Sequence, residues 1–372
     1  MAFFGFNNKR FLKEELIRRE EPCRICGAKE GFKIGEADYW DLQHSSIIYC
    51  PSCMLVQLDP MLTAENTATG CSAYYLDELT RESIKEHERN LVRNYRRGVV
   101  FAIDLKRKGF SPVDILEFGP GSGYFMAGMQ FVFPDCNITV VDIVDDVLRK
   151  NRETHGFETI YGSPEDTGIL ANRKFDLIVA RDILEHVTDI GRVISNAALL
   201  LKPGGLFHFL TPNGYEDVWG HYIHWKHHHK PSELLINHVN YFDGKGLKDL
   251  LLRNAFLSVE YFTYQLKTTF RGKGWRMKQS LEADTSGKRT TTTPKSNVTG
   301  YASSGQALAP DMEVAFDLDK TKVLDRWYIN PSMKWMTYLY CLYKHHWWIH
   351  LYPSRNIGHE ISGLFRYQDS NP

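Results

Sequence analysis

Asp114-Ile-Leu-Glu-Phe-Gly-Pro-Gly-Ser-Gly-Tyr-Phe125 decides how this chain is read. A short apolar run ends in a carboxylate, Glu117, and then in three glycines at alternating positions, Gly119, Gly121 and Gly123. Glycine has no Cβ and adopts positive φ, so such a loop lets a bound molecule approach the backbone. A loop at the carboxyl end of a strand is where open α/β sheets bind ligands, and the helix start that follows offers free N–H groups.

Outward from this stretch, strand and helix patterns alternate. Strands are predicted at 113–118, 138–142, 157–161, 175–180 and 205–210, with helices at about 123–132, 144–155 and 190–201. That alternation predicts βαβ units and a parallel sheet. The charged stretch from Glu78 to Lys108 carries apolar residues at helical spacing and leads into the sheet. A helix at Gly246–Arg253 and a strand at Phe256–Gln265 follow it. Asp142 closes the second strand at about the spacing from the glycine loop at which an acid holds ribose hydroxyls. A glycine turn without ligand and a nicotinamide site are the competing readings. Tyr124 stands where a dinucleotide loop carries its third glycine, which favours a ligand without pyrophosphate.

These residues resemble the class I S-adenosylmethionine (SAM)-dependent methyltransferases. Ile115–Gly123 is similar to their first signature and Val140-Val-Asp142 to the second. Gly162-Ser-Pro-Glu-Asp166 is similar to the third, Phe175–His186 to the fourth, and Leu200-Leu-Lys-Pro-Gly-Gly-Leu206 leads into the fifth strand. The resemblance covers about residues 85–265. It implies a Rossmann-like seven-stranded sheet of α/β class. It also implies that Gly119, Gly121 and Gly123 flank the methionine part of SAM, that Glu117, just before the loop, belongs to the cofactor site, and that Asp142 holds the ribose. Arg181 and Asp182 would lie near the methionine end. Glu165 or Asp166 would face the adenine, or else cap a helix after Ser163-Pro164.

Before the sheet, Cys23-Arg-Ile-Cys26-Gly and Cys50-Pro-Ser-Cys53 form two knuckles. Two disulfides or a redox pair are the alternatives. In a reducing compartment two Cys-x-x-Cys pairs favour one tetrahedral S₄ zinc site, closed and therefore structural. The start of the chain has no apolar core long enough for a signal peptide, and no run of about 18 apolar residues spans a membrane, so the expectation is a cytoplasmic protein. Cys50–Leu58 resembles the zinc-binding start of bacterial sugar C-methyltransferases and related enzymes of polysaccharide and natural-product clusters. That resemblance implies a small-molecule acceptor, such as a sugar or nucleotide-sugar.

Between the fifth strand and the next helix lies a histidine-rich stretch, Trp219–Phe242. A base of near-neutral pKa suits proton removal from a methyl acceptor. Asn237-His-Val-Asn-Tyr-Phe242 resembles the context of the catalytic base in the sugar enzymes, which implies that role for His238. Capping or packing beneath a lid is the other reading. His221, His224, His227, His228 and His229 could gather a metal or simply lie on the surface.

Residues 280–311 lack periodicity and are rich in Thr, Ser, Gly, Lys and Pro, which reads as a linker. Trp327–Pro353 is dense in aromatics and could pack on the SAM domain, form an oligomer contact or substrate wall, or touch a membrane surface. The expected division is therefore 1–75 for the arm and zinc ribbon, 76–275 for the SAM domain, 276–315 for the linker and 316–372 for an aromatic C-terminal extension. The 45 basic and 45 acidic residues cancel, so there is no charge excess for nucleic acid. A macromolecule-modifying enzyme that grips RNA or protein through the ribbon, and an inactive SAM-binding scaffold, are the other classes considered.

Overall fold

The computed structural model describes residues 11–39, 43–63, 65–67, 69–70, 84–166, 168–170, 172–233, 238–266, 349–353 and 360–368. Two sheets organise them. The first begins with β1 (Leu16–Arg18), β2 (Glu30–Tyr39), β3 (Gln43–Tyr49) and β4 (Val56–Asp59), a run of antiparallel pairs. Asp59 ties its far end to the residues just before the first knuckle by accepting from Glu20 N and Glu21 N at 2.9 and 3.0 Å.

The second sheet follows the helix α1 (Ile84–Arg107). Its elements in order are β5 (Asp114–Phe118), α2 (Tyr124–Val132), β6 (Asn137–Asp142), α3 (Asp145–His155), β7 (Glu158–Tyr161), β8 (Phe175–Arg181), α4 (Ile190–Leu200) and β9 (Leu201–Pro212). The five strands pair in parallel, in the order β7-β6-β5-β8-β9. Their apolar runs are continuous because helices cover both faces. Ile115, Leu116, Phe118, Val140, Leu177, Ile178 and Val179 are all fully buried. Against one face α1 crosses α2 at two glycines. A Cβ on Gly98 would stand 1.9 Å from Phe125 O, and one on Gly128 2.1 Å from Tyr95 O.

After β9 come α5 (Tyr215–His228), β10 (Ser232–Glu233), β11 (Asn240–Tyr241), α6 (Gly244–Arg253), β12 (Phe256–Leu266), β13 (Ile349–Pro353) and β14 (Glu360–Tyr367). The last of these enters between β9 and β12, antiparallel to both, and β13 adds an eighth strand at the edge. Glu360–Tyr367, expected within a separate C-terminal extension, is the strand that completes the seven-stranded mixed sheet. Its apolar core, Ile361-Ser-Gly-Leu-Phe365, is too short and too far from β12 in sequence to announce a partner.

A second boundary is also crossed. β10 pairs with β2 and β11 with β4, so the segment after β9 adds two strands to the cysteine-bearing sheet. Two-residue strands have no periodicity to read. Residues 1–10, the stretch 276–315 and the aromatic residues 327–348 lie outside the described residues. Among the described residues no helix is long and apolar enough to cross a membrane.

Candidate active site

The glycine loop runs from β5 into α2 with Gly119, Gly121 and Gly123 all at positive φ, 63°, 52° and 75°. Their surroundings differ. A Cβ on Gly119 would fall 1.9 Å from Ile183 Cδ1, and one on Gly123 2.1 Å from Asn151 Oδ1. A Cβ on Gly121 would meet nothing within 4 Å. The outer two glycines let the loop pack, and the middle one leaves open space beside the backbone. From α3, Asn151 Nδ2 donates to Gly121 O at 2.8 Å, and His155 Nε2 lies 3.0 Å from Ser122 O.

Two carboxylates stand beside this loop. Glu117 is buried, its Oε2 has no partner, and burial pushes its carboxyl up to about 8. Asp142, at the end of β6, accepts from Val144 N at 2.9 Å, and burial raises it to about 6. Asn151 Oδ1 is a second buried polar atom without a partner. Orphaned buried polar atoms are costly, and native proteins keep them where a ligand or water completes them.

Across the carboxyl end of β8 lies a second cluster. Arg181 stacks its guanidinium 4.0 Å from the Phe125 ring centroid. Asp182 holds φ of 54°, is open to solvent, and lies among Arg97, Arg181, His238 and Glu360. Positive φ on a residue other than glycine marks strain held by its surroundings. Glu185 is buried, and Thr211 Oγ1 donates to its Oε2 at 2.8 Å. Burial and the charge of Asp182 push the Glu185 carboxyl well above the ordinary range. His186 packs edge-on against His238, ring centroids 4.9 Å apart. Glu185, His186 and His238 bring one carboxylate oxygen and two imidazole nitrogens within 4.8 Å of one another.

The residues read from sequence therefore fall into two groups. Glu117, Gly119, Gly121, Gly123 and Asp142 gather at the carboxyl ends of β5 and β6, and Arg181, Asp182 and His238 lie together past the end of β8. Glu165 points elsewhere. It accepts from Thr188 N, from Asp189 N at 3.0 Å and from Thr188 Oγ1 at 3.0 Å, so its carboxylate serves the turn before α4. Asp166 is exposed and accepts from Gly168 N at 3.2 Å. Asn151, Glu185, His186 and Glu360 were missed. Glu185 and His186 sit inside the fourth signature-like stretch and could have been picked out as an adjacent acid and imidazole. Asn151 and Glu360 have no local signal.

Of the histidine-rich stretch, His221 bonds Ser232 Oγ at 2.6 Å and Tyr241 OH at 3.3 Å, while His227, His228 and His229 are exposed. Among the described residues none of the five joins a three-ligand cluster.

The four cysteines do converge. Cys23 and Cys53 sulfurs are 3.6 Å apart, Cys26 and Cys50 sulfurs 3.5 Å, and all four fall within 4.8 Å of one another. Each knuckle closes alike: Gly27 N donates to Cys23 O and Met54 N to Cys50 O, both at 2.8 Å, with Gly27 and Met54 at φ of 70° and 60°. Hydrogen bonds from Cys23 and Cys53 pull the Cys50 thiol far down.

Residues 85–260 match a family model described as "Methyltransferase domain". A ubiquinone biosynthesis O-methyltransferase of Actinobacillus pleuropneumoniae is 31% identical over 120 residues, 30% of this chain and 50% of its own. Thiol S-methyltransferase TMT1B of Rattus norvegicus is 28% identical over 169 residues, 41% of this chain and 66% of its own. The chain thus spans about half the length of the curated relatives it matches. A solved plantazolicin methyltransferase in complex with SAH aligns with 82% of this chain and 97% of its own at 9% identity, with a TM-score of 0.41.

Proposed function

We propose that this chain is a SAM-dependent methyltransferase acting on a small-molecule acceptor, with a structural zinc at the four cysteines. The observation that carries the reading is the loop of three positive-φ glycines at the carboxyl end of β5, preceded by the orphaned Glu117 Oε2 and beside Asp142 at the end of the neighbouring strand β6. When bound, SAM supplies an electrophilic sulfonium methyl, and transfer would leave S-adenosylhomocysteine. The glycine loop would lie along the methionine part, and Asp142 would accept from the ribose hydroxyls. Glu117 would answer the cationic end of the ligand, which offsets the cost of ionising it in a buried place. Asp166 or its neighbours would border the adenine; Glu165 is already engaged.

His238 is the acceptor-side base in this reading. Positioning supplies much of the rate of a displacement at methyl. An imidazole beside Glu185 and Asp182 would take the acceptor's proton. The relatives' names include O- and S-methyl transfer, so the domain is compatible with different acceptor atoms. Ubiquinone biosynthesis and a thiol in those names favour small acceptors, and the balanced charge gives no support to an RNA substrate. The sugar acceptor rests only on the likeness of the cysteine segment.

Zinc fits the four thiols. Zn–S bonds of about 2.3 Å set the edges of an S₄ tetrahedron near 3.8 Å, close to the spacing found. All four positions would be filled by protein, leaving none for chemistry. Reduced thiols suit the cytoplasmic setting expected from the sequence.

Calorimetric titration with SAM tests the cofactor site. The wild type should bind, and Asp142→Ala should bind at least tenfold more weakly. Equal affinity would remove Asp142 from the site. Labelled SAM offered with a panel of small phenols, thiols and nucleotide-sugars then identifies the acceptor.

A further inference from the structure

We infer that Gln57 and Asn240 are positioning residues, which link the four-cysteine cluster to the histidine pair on the acceptor side. The inference rests on the reading of His238 as the acceptor-side base and of the cysteines as a metal centre. Both amides are fully buried, Gln57 at 0% and Asn240 at 1% exposure. Burying two amides is costly unless every polar atom is used.

They are used as a chain. Asn240 Nδ2 donates to Leu184 O at 3.2 Å and Val187 O at 2.6 Å. Two carbonyls can only be met by the NH₂ end, so Asn240 Oδ1 must face the other way. There it accepts from Gln57 Nε2 at 2.8 Å. The Gln57 orientation is thereby set, and its Oε1 faces the first knuckle. It accepts from Arg24 N at 3.4 Å and lies 3.7 Å from Cys23 Sγ. Arg24 is inside the Cys23-to-Cys26 turn, so this contact does not depend on a proton at Cys23.

The other end grips the site. Val239 N and Asn240 N both donate to Glu185 O, at 2.8 and 3.1 Å. Together with the two side-chain bonds, this pins the turn 184–187, which carries Glu185 and His186, to the residues that immediately follow His238. The relative placement of the two imidazoles is therefore set by one asparagine. That asparagine is oriented by a glutamine whose remaining acceptor reads the knuckle. β11 and β4 pair at this point, Asn240 opposite Gln57, so the link crosses the seam between cysteine sheet and methyltransferase domain. A shift of the knuckle moves Arg24 N, then the Gln57 amide, then both imidazoles.

The test needs no acceptor. Full-length protein is prepared with ¹³C-labelled histidine, once with zinc and once with cadmium, a larger thiophilic ion. The His186 and His238 ring resonances are assigned from His186→Gln and His238→Gln spectra. Exchanging the metal should move both resonances in the wild type. In Gln57→Met, close in shape but unable to make either bond, the response should be at least fivefold smaller, with metal content and SAM affinity unchanged. No response in the wild type, or an equal response in the variant, overturns the inference. Should Gln57→Met fail to fold, Asn240→Asp keeps the acceptor and loses both donors, and the same reduction is expected of it. A protein that binds no SAM yet shows the coupled shifts would sink the proposed function and leave the link standing.

Discussion

The two halves of the candidate site are built in opposite ways. In the proposed reading the cofactor side uses Glu117, the three loop glycines, Asp142 and Asn151, all from two successive βα units. The acceptor side draws Gln57 from the cysteine sheet, Asp182, Glu185 and His186 from the turn after β8, His238 and Asn240 from the segment after β9, and Glu360 from the last strand. One half is local and packed by backbone. The other is assembled across a domain seam by polar groups, of which Gln57, Glu185 and Asn240 are buried, and only together do those groups make sense. A substitution on the cofactor side should therefore act on affinity, and one on the acceptor side on turnover.

The largest break in that symmetry is expected at His238. Removing a general base costs about 10²- to 10⁴-fold in rate. His238→Ala should lower the rate constant for methyl transfer by that order while SAM affinity stays within twofold, as read by single-turnover kinetics and calorimetry. Normal turnover would remove His238 from the chemistry.

On the cofactor side the glycines can be separated from one another. Gly123→Ala forces a positive φ on alanine and places its Cβ 2.1 Å from Asn151 Oδ1, so it should cost about 2 kcal/mol of stability as well as SAM affinity. Gly121→Ala pays only the backbone strain, about 1 kcal/mol, because its Cβ meets nothing. Yet it puts a methyl into the cradle, and affinity should fall by tenfold or more. Thermal unfolding and calorimetry on the two variants distinguish packing from ligand space. Equal SAM binding by Gly121→Ala and wild type would mean that the open space is not the cofactor's.

This contrast also explains what could be read from the chain. Phe175–Arg181 is found where 175–180 was expected, and the ends of β6 and α3 fall within a residue or two of their expected places, because parallel strands buried on both faces announce themselves as apolar runs. Glu165 could be read two ways, because an acid after Ser163-Pro164 suits a local cap and a ligand contact equally well in sequence; in the structure its carboxylate accepts from the Thr188 and Asp189 amides. Glu360 and Asn240 could not be read at all. Their roles come from pairing with strands that are distant in sequence, and a two-residue strand or an isolated carboxylate carries no pattern. The cysteines were legible as a set, but not the glutamine that connects them to the acceptor side.

Proton linkage offers a finer cut through the cofactor side. Asp142 is raised to about 6 by burial in the empty site, and ribose hydroxyls require its ionised form. Binding then releases a proton below that value. Glu117, raised to about 8, is linked in the same way, so SAM affinity should fall gradually below about pH 8 and more steeply below about pH 6, and Asp142→Asn should be weak and lack the added steepness below pH 6. An affinity for the wild type that is identical at pH 5 and pH 7.5 would contradict the assignment.

The last effect expected is one of stability, at Glu117. Its folded value near 8 lies above that of a free glutamate, about 4.3, so the folded apoprotein holds a proton that the unfolded chain has lost. Stability from this group is therefore greatest at low pH. It declines between about 4.3 and 8, by at most about 1.4 kcal/mol per unit, and the penalty is complete above 8. Glu117→Gln removes the charge while keeping the shape. The apoprotein variant should melt a few degrees higher than wild type at pH 8 and show a flatter dependence of Tm on pH between 6 and 8. SAM should reverse the order, because a cationic ligand end rewards the ionised carboxylate and not the amide. A variant that is no more stable than wild type at pH 8 would mean that Glu117 is already ionised without cofactor, and the site would be charged in advance rather than completed by its ligand.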